Sequence, residues 1–195
     1  MALEVARHTT RIYIVGPSST GKTTLCNALA KRLGLSDHAF VTEVARGVIK
    51  ALGLSRNDIG SLEMQTAIMV AHLKCELAVQ GEAVQLNDRS AVDAIVYAVF
   101  TATSPQDAQA RKEILVALPE FQEALERYRR SIFVLLAPVT EWLVDDGFRH
   151  VGDETQVLAI FRDTLAELGI TYREIGPEMR FLPERVSWVL ALAMA

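Results

Sequence analysis

Residues Gly16-Pro17-Ser18-Ser19-Thr20-Gly21-Lys22-Thr23 fit the pattern G-x-x-x-x-G-K-[ST] in full. They lie between a β-branched and aromatic run, Arg11 to Val15 (RIYIV), and a segment with helical spacing through Leu25, Leu29 and Leu33. Strand, glycine-bearing turn and helix in that order constrain the chain strongly, because this is the context in which the pattern forms an anion cradle. Glycine at 16 and 21 permits backbone conformations that a Cβ would block, so successive N–H groups can turn inward. The helix that follows adds the positive end of its dipole. The matching ligand is a polyphosphate. Gly16, Ser18, Ser19, Thr20, Gly21 and Thr24 would surround it, Lys22 would bring an ammonium to the β- and γ-phosphates, and the Thr23 hydroxyl would hold a bridging Mg²⁺.

The rest of the chain alternates short apolar runs with helical patterns. Ala39 to Thr42 reads as a second strand, followed by a helix from Val44 to Leu52 that Gly53 can end. Ser61 opens a long helix, with Glu63 and Glu76 among the apolar positions Leu62, Ile68, Met69, Leu73 and Leu77. Val84 to Leu86 is the third strand, and the helix from Ala91 to Thr101 follows it. A helix spans Gln106 to Tyr128, with Pro119 as its point of fracture. Ser131 to Leu136 (SIFVLL) is apolar enough for a strand covered on both faces. A helix from Glu154 to Leu168, a fifth strand from Thr171 to Ile175 and a closing helix from Pro183 to Met194 complete the order. This alternation predicts an α/β fold, a parallel sheet with helices on both faces. Ligands of such sheets bind outside the carboxyl ends of the strands. Those ends carry Gly16 to Thr23, Glu43, Asp88 with Arg89, and the segment after Leu136.

Composition narrows the partners. With 195 residues the chain reads as one domain over 1–195, residues 1–10 forming an N-terminal extension. A net charge of −4 and a pI near 5.6 argue against nucleic acid, whose phosphate backbone is met by clustered Lys and Arg. No span reaches the roughly 18 uncharged apolar residues of a membrane-crossing helix, and residues 1–10 lack the apolar core of a secretory signal. The expected location is cytoplasmic, with no membrane partner. Both cysteines, Cys26 and Cys75, fall in helical patterns and read as buried thiols of a reducing compartment. The histidines, His8, His38, His72 and His150, are scattered and make no metal set.

Several residues are placed to do chemistry beside the phosphates. Asp88, just past the third strand, can bind Mg²⁺ or accept a proton from an attacking hydroxyl; alternatively it N-caps the helix beginning near Ala91. Arg89 can clamp a phosphate, or pair with Asp93 four residues on. Glu43 and Arg46 can face the same cleft, or form a surface ion pair. The stretch from Thr140 to Arg149 suits a movable flap that carries Arg149 over the phosphates, or else a surface loop anchored by Trp142 and Phe148.

The pattern resembles the bacterial ribosylnicotinamide (nicotinamide riboside) kinase domain and related small AAA-type P-loop proteins. The resemblance runs from about Arg11 to Leu190, on VGPSSTGKTTL at 15–25, TEVAR at 42–46, the helix around Gln65, NDRS at 87–90 and WLVDDGFR at 142–149. It implies a three-layer nucleoside- and nucleotide-kinase-like fold, with a five-stranded parallel sheet in the order 2-3-1-4-5 and a helical lid carrying Arg149. Onto matching positions it carries Lys22 and Thr23 for ATP and Mg²⁺, Glu43 and Asp88 as acids near metal or acceptor, and Arg89 and Arg149 as phosphate stabilisers. The expected activity is Mg²⁺- and ATP-dependent phosphotransfer to a small hydroxylated metabolite such as a nucleoside. An NTPase acting as a nucleotide-dependent switch and a nucleotide-binding module are the alternatives. No aromatic is placed clearly for stacking a nicotinamide or nucleobase, and the adenylyltransferase domain that accompanies the bacterial kinase has no counterpart in these residues.

Overall fold

The computed structural model describes residues 9–42, 44–53, 58–142 and 153–194. Its strands are β1 (Thr10–Val15), β2 (Phe40–Val41), β3 (Val84–Asp88), β4 (Ile132–Leu136) and β5 (Tyr172–Ile175). All pair in parallel in one five-stranded sheet of order β2-β3-β1-β4-β5. The expected strand order is thus observed. Parallel strands buried on both faces need apolar side chains at successive positions, and Ile12, Tyr13, Ile14 and Val15 are all fully buried.

Period-two alternation divides these residues between two cores. Ile12 and Ile14 face helix α1 (Lys22–Leu33) and the closing helix α8 (Leu182–Ala193). Tyr13 and Val15 face α3 (Leu62–Ala78), α4 (Ala91–Phe100), α5 (Pro105–Val116), α6 (Pro119–Tyr128) and α7 (Glu154–Glu167). A short α2 (Ala45–Ala51) precedes α3. Ser61 caps α3 by accepting from the Met64 amide at 3.3 Å.

Two expectations are met here and two need correction. The break expected at Pro119 divides the 106–128 pattern into two helices, because Pro119 takes the first turn of α6, where its missing N–H is harmless, and α5 ends before it. Cys26 is buried, and burial, with Asp88 nearby, pushes its thiol well above the ordinary range. Cys75, however, is exposed, and Leu77 with it, since the inward face of α3 runs through Met69, His72, Leu73 and Glu76.

Glu76 on that inward face is a buried carboxylate inside the larger core. It accepts from the Tyr128 hydroxyl at 2.6 Å, the Tyr13 hydroxyl at 3.0 Å and Arg127 Nη2 at 2.8 Å. His72 Nε2 lies 3.3 Å from it. A charge removed from water is tolerated only with such a set of partners. The set also reaches the sheet's working end, because the Tyr128 oxygen accepts from the Ala91 amide at 3.1 Å, at the start of α4.

Candidate active site

The turn from β1 to α1 takes its shape from three left-handed residues: Gly16 at φ 137°, Ser19 at φ 59° and Gly21 at φ 83°. A Cβ on Gly16 would lie 2.6 Å from the Leu136 carbonyl oxygen, so glycine is demanded both by the dihedral and by the packing of β1's end against β4. Lys22 begins α1 and is buried; its Nζ donates to the Pro17 carbonyl and lies 3.3 Å from Thr20 Oγ1. Thr20 Oγ1 also donates to the Pro17 carbonyl, at 3.0 Å. The ammonium is therefore held across the mouth of the turn, where a phosphate oxygen could replace the carbonyl. Thr23 and Thr24 are exposed on the first turn of α1, and Ser18 Oγ lies 3.2 Å from the Tyr97 hydroxyl.

Parallel register brings Asp88 level with Ile14, two residues before the turn. Thr23 Oγ1 donates to Asp88 Oδ2 at 2.6 Å, although the two residues are 65 positions apart. A hydroxyl and a carboxylate at this distance, at the helix end that favours anions, form an oxygen donor set that fits Mg²⁺. That ion takes one or two protein oxygens and fills its remaining positions with phosphate and water. No group of three or more His, Cys, Asp or Glu side chains among the described residues could hold a metal without such help.

The capping alternative for Asp88 is answered by the next residues. Ser90 caps α4, its Oγ accepting from the Val92 amide at 3.2 Å, and Asp93 Oδ2 accepts from the Ser90 amide at 2.9 Å, a reciprocal capping box. Arg89 adopts the left-handed conformation, φ 86°, while its amide donates to the Ile14 carbonyl at 3.0 Å. Its Nη1 meets Asp93 Oδ1 at 3.1 Å, the ion pair expected as the plainer reading. Gln65 donates its amide to the Ile59 carbonyl at 2.8 Å, bracing the start of α3. Glu43 and Arg149 lie outside the described residues, as do Phe148 and the Arg46 side chain, and the flap enters the description only at its base, Thr140–Trp142.

One residue at the site escaped the sequence reading of the closing helix. Arg185, in the first turn of α8, is 2% exposed, and its Nη1 donates to the Thr20 carbonyl of the phosphate turn at 3.1 Å. Its Nε donates to the Met179 carbonyl at 2.6 Å, and the Trp142 ring lies over the guanidinium, 4.6 Å from centroid to Cζ. Burial lowers the Arg185 pKa, with Glu178 acting in the opposite direction. An arginine in the first turn of a terminal helix normally reads as solvated, which is why spacing alone did not single it out.

A sheet of this order with a phosphate turn after its central strand defines the chain as a P-loop protein with the kinase-type fold. The sequence matches the AAA domain family over residues 11–180, and the chain belongs to that family. No curated protein matches it. Among solved structures it is similar to the NadR protein in complex with NAD and AMP-PNP, at 17% identity and a TM-score of 0.71, over 95% of this chain and 49% of that one. A deoxyadenosine kinase from M. mycoides, with products dCMP and dCDP bound, gives 10% identity and a TM-score of 0.60, covering 94% and 98% of the two chains. Shikimate kinase from Acinetobacter baumannii, in complex with shikimate, gives 18% and 0.53 over 96% and 94%. At these identities the likeness is one of fold. The chain spans about half the length of the NadR chains it matches, 49% and 51%. No helix among the described residues is long and apolar enough to cross a membrane.

Proposed function

We propose that this chain is a Mg²⁺- and ATP-dependent kinase of small hydroxylated metabolites, with a nucleoside such as nicotinamide riboside as the leading acceptor. The observation that carries the reading is the 2.6 Å approach of Thr23 Oγ1 to Asp88 Oδ2 beside the phosphate turn. It joins a metal-ligating hydroxyl and a buried carboxylate where the γ-phosphate of a bound donor would end. Mg²⁺ held by Thr23 and Asp88 would neutralise charge on the phosphates.

The protein's own groups do the rest by position and electrostatics. The amides of the turn hold the donor, and Lys22 exchanges the Pro17 carbonyl for phosphate oxygen. Asp88 or Glu43 orients the acceptor hydroxyl and takes its proton, while Arg89 and Arg149 offset charge on the transferred group. Arg89 must leave Asp93 to do so. Similarity to proteins whose structures hold dCMP and shikimate supports a small acceptor over water.

ADP release, followed with Mg·ATP and a panel of nucleosides that includes nicotinamide riboside, tests the reading. A kinase gives release stimulated by one acceptor and a phosphorylated product; release independent of every acceptor would instead mark a hydrolase or switch. Lys22→Ala and Asp88→Asn should each lower turnover at least a hundredfold with an unchanged circular dichroism spectrum. Near-full activity in both variants would mean the site is elsewhere.

A further inference from the structure

Arg185 sits where stability alone would not place it. A cation in the first turn of α8 opposes the positive end of the helix dipole. Its guanidinium is buried, and Nη2 has no hydrogen-bond partner among the described residues, which for a buried charged donor is unfavourable. The Trp142 ring offsets part of this through its π face. What the arrangement does achieve is a fixed guanidinium, tethered at Nε to Met179 and directed at Nη1 onto the Thr20 carbonyl.

That carbonyl belongs to the same planar trans peptide as the Gly21 amide, so the two groups point in opposite directions. Holding the Thr20 oxygen toward α8 turns the Gly21 N–H away from α8. Gly21, lacking a Cβ and sitting at φ 83°, resists such a flip poorly by itself.

We infer that Arg185 is a positioning residue for the phosphate turn: by anchoring the Thr20 carbonyl it keeps the Gly21 amide aimed at the bound polyphosphate. This rests on the reading of the turn as a nucleotide cradle, and it makes no use of the acceptor. Trp142 closes over the guanidinium, excludes water from it, and so keeps the Thr20 carbonyl as its partner. The effect falls on the phosphates of any donor, whatever its base.

Calorimetry on the full chain tests this with two probes, Mg·ATP and Mg·tripolyphosphate, the second having no base or ribose. Arg185→Ala should weaken both by the same factor, about tenfold or more, and raise KM for ATP while leaving KM for the acceptor unchanged. Arg185→Lys, which keeps charge and reach with a single donor group, should lose about threefold on both probes. Weaker ATP binding with unchanged tripolyphosphate binding would assign Arg185 to the base and overturn the inference. Unchanged affinity for both, with only a lower melting temperature, would reduce Arg185 to a structural role and also overturn it. Should the Ala variant not fold, the Lys variant decides: wild-type affinity for tripolyphosphate overturns the inference, and a threefold loss supports it. Because both probes read binding alone, a protein that binds them but phosphorylates no acceptor sinks the kinase proposal and leaves this inference standing.

Discussion

Arg89 combines a strained backbone with a side chain that is proposed to work. A Cβ at φ 86° is disfavoured by about 1 kcal/mol or more relative to glycine, and the strain persists because the Arg89 amide is tied to the Ile14 carbonyl at 3.0 Å. Strain of this kind gathers where a side chain must be aimed. Replacing Arg89 by Ala removes the guanidinium and keeps the Cβ; replacing it by Gly removes both. Arg89→Gly should therefore be the more stable variant by about 1 kcal/mol in urea denaturation, while both lose at least tenfold in kcat. Equal midpoints for the two variants would show that the turn after β3 carries no strain at that position.

Elements meet at the site through their ends. The turn Thr140–Trp142 follows β4 and is fastened to the region after β5 at two points, Glu141 to Arg180 at 2.8 Å and Trp142 to Arg185 at 4.6 Å. Trp142 also lies 3.4 Å from where a Cβ on Gly21 would be, so its indole touches the phosphate turn itself. The chain has two tryptophans, and Trp188→Phe leaves Trp142 as the single indole reporter. Titration of that variant with Mg·ATP should shift its fluorescence, with saturation at the calorimetric Kd. Adding Lys22→Ala should flatten the titration, and an unshifted spectrum at saturating nucleotide would separate Trp142 from the bound state. The sequence showed the strand and turn that build the cradle because their signals are local: a β-branched run, two fixed glycines and a leucine repeat. It placed Asp88 at a strand end as well, since a carboxylate ending an apolar strand stands out. The bond from Arg185 to Thr20 spans 165 positions and had no local signature. Likewise, Glu76 inside an apolar helical face signals a buried charge only once Tyr13, Arg127 and Tyr128 are known to converge on it.

That convergence ties the molecule together, since Tyr13 comes from the central strand, Glu76 from α3, and Arg127 and Tyr128 from α6. Tyr13 stacks on Phe133 at 4.6 Å and meets Tyr128 edge-on at 4.9 Å, so the two hydroxyls reach the carboxylate from within an aromatic cluster. Burial, then the nearby Glu76 charge, raises both tyrosine pKa values well above the ordinary 10.0. The Arg127 guanidinium loses hydration here, but its bond and attraction to Glu76 outweigh that loss and hold its charge more firmly than usual. Both tyrosines bind their protons more tightly in the folded state than in the unfolded one. Stability from this source is complete below pH 10 and is lost as pH rises from there toward the folded values. In that window each tyrosine contributes a slope of up to about 1.4 kcal/mol per pH unit, because the unfolded chain releases a proton that the folded chain retains. Urea unfolding between pH 9 and pH 11.5 should therefore show stability falling above about pH 10, and Tyr13→Phe should make the decline shallower by roughly that amount per unit. Tyr13→Phe also removes one donor to Glu76, so its stability at pH 8 should be lower than wild type by about 1–3 kcal/mol. A variant with the wild-type alkaline slope would mean that the Tyr13 hydroxyl ionises in the folded protein as freely as in water.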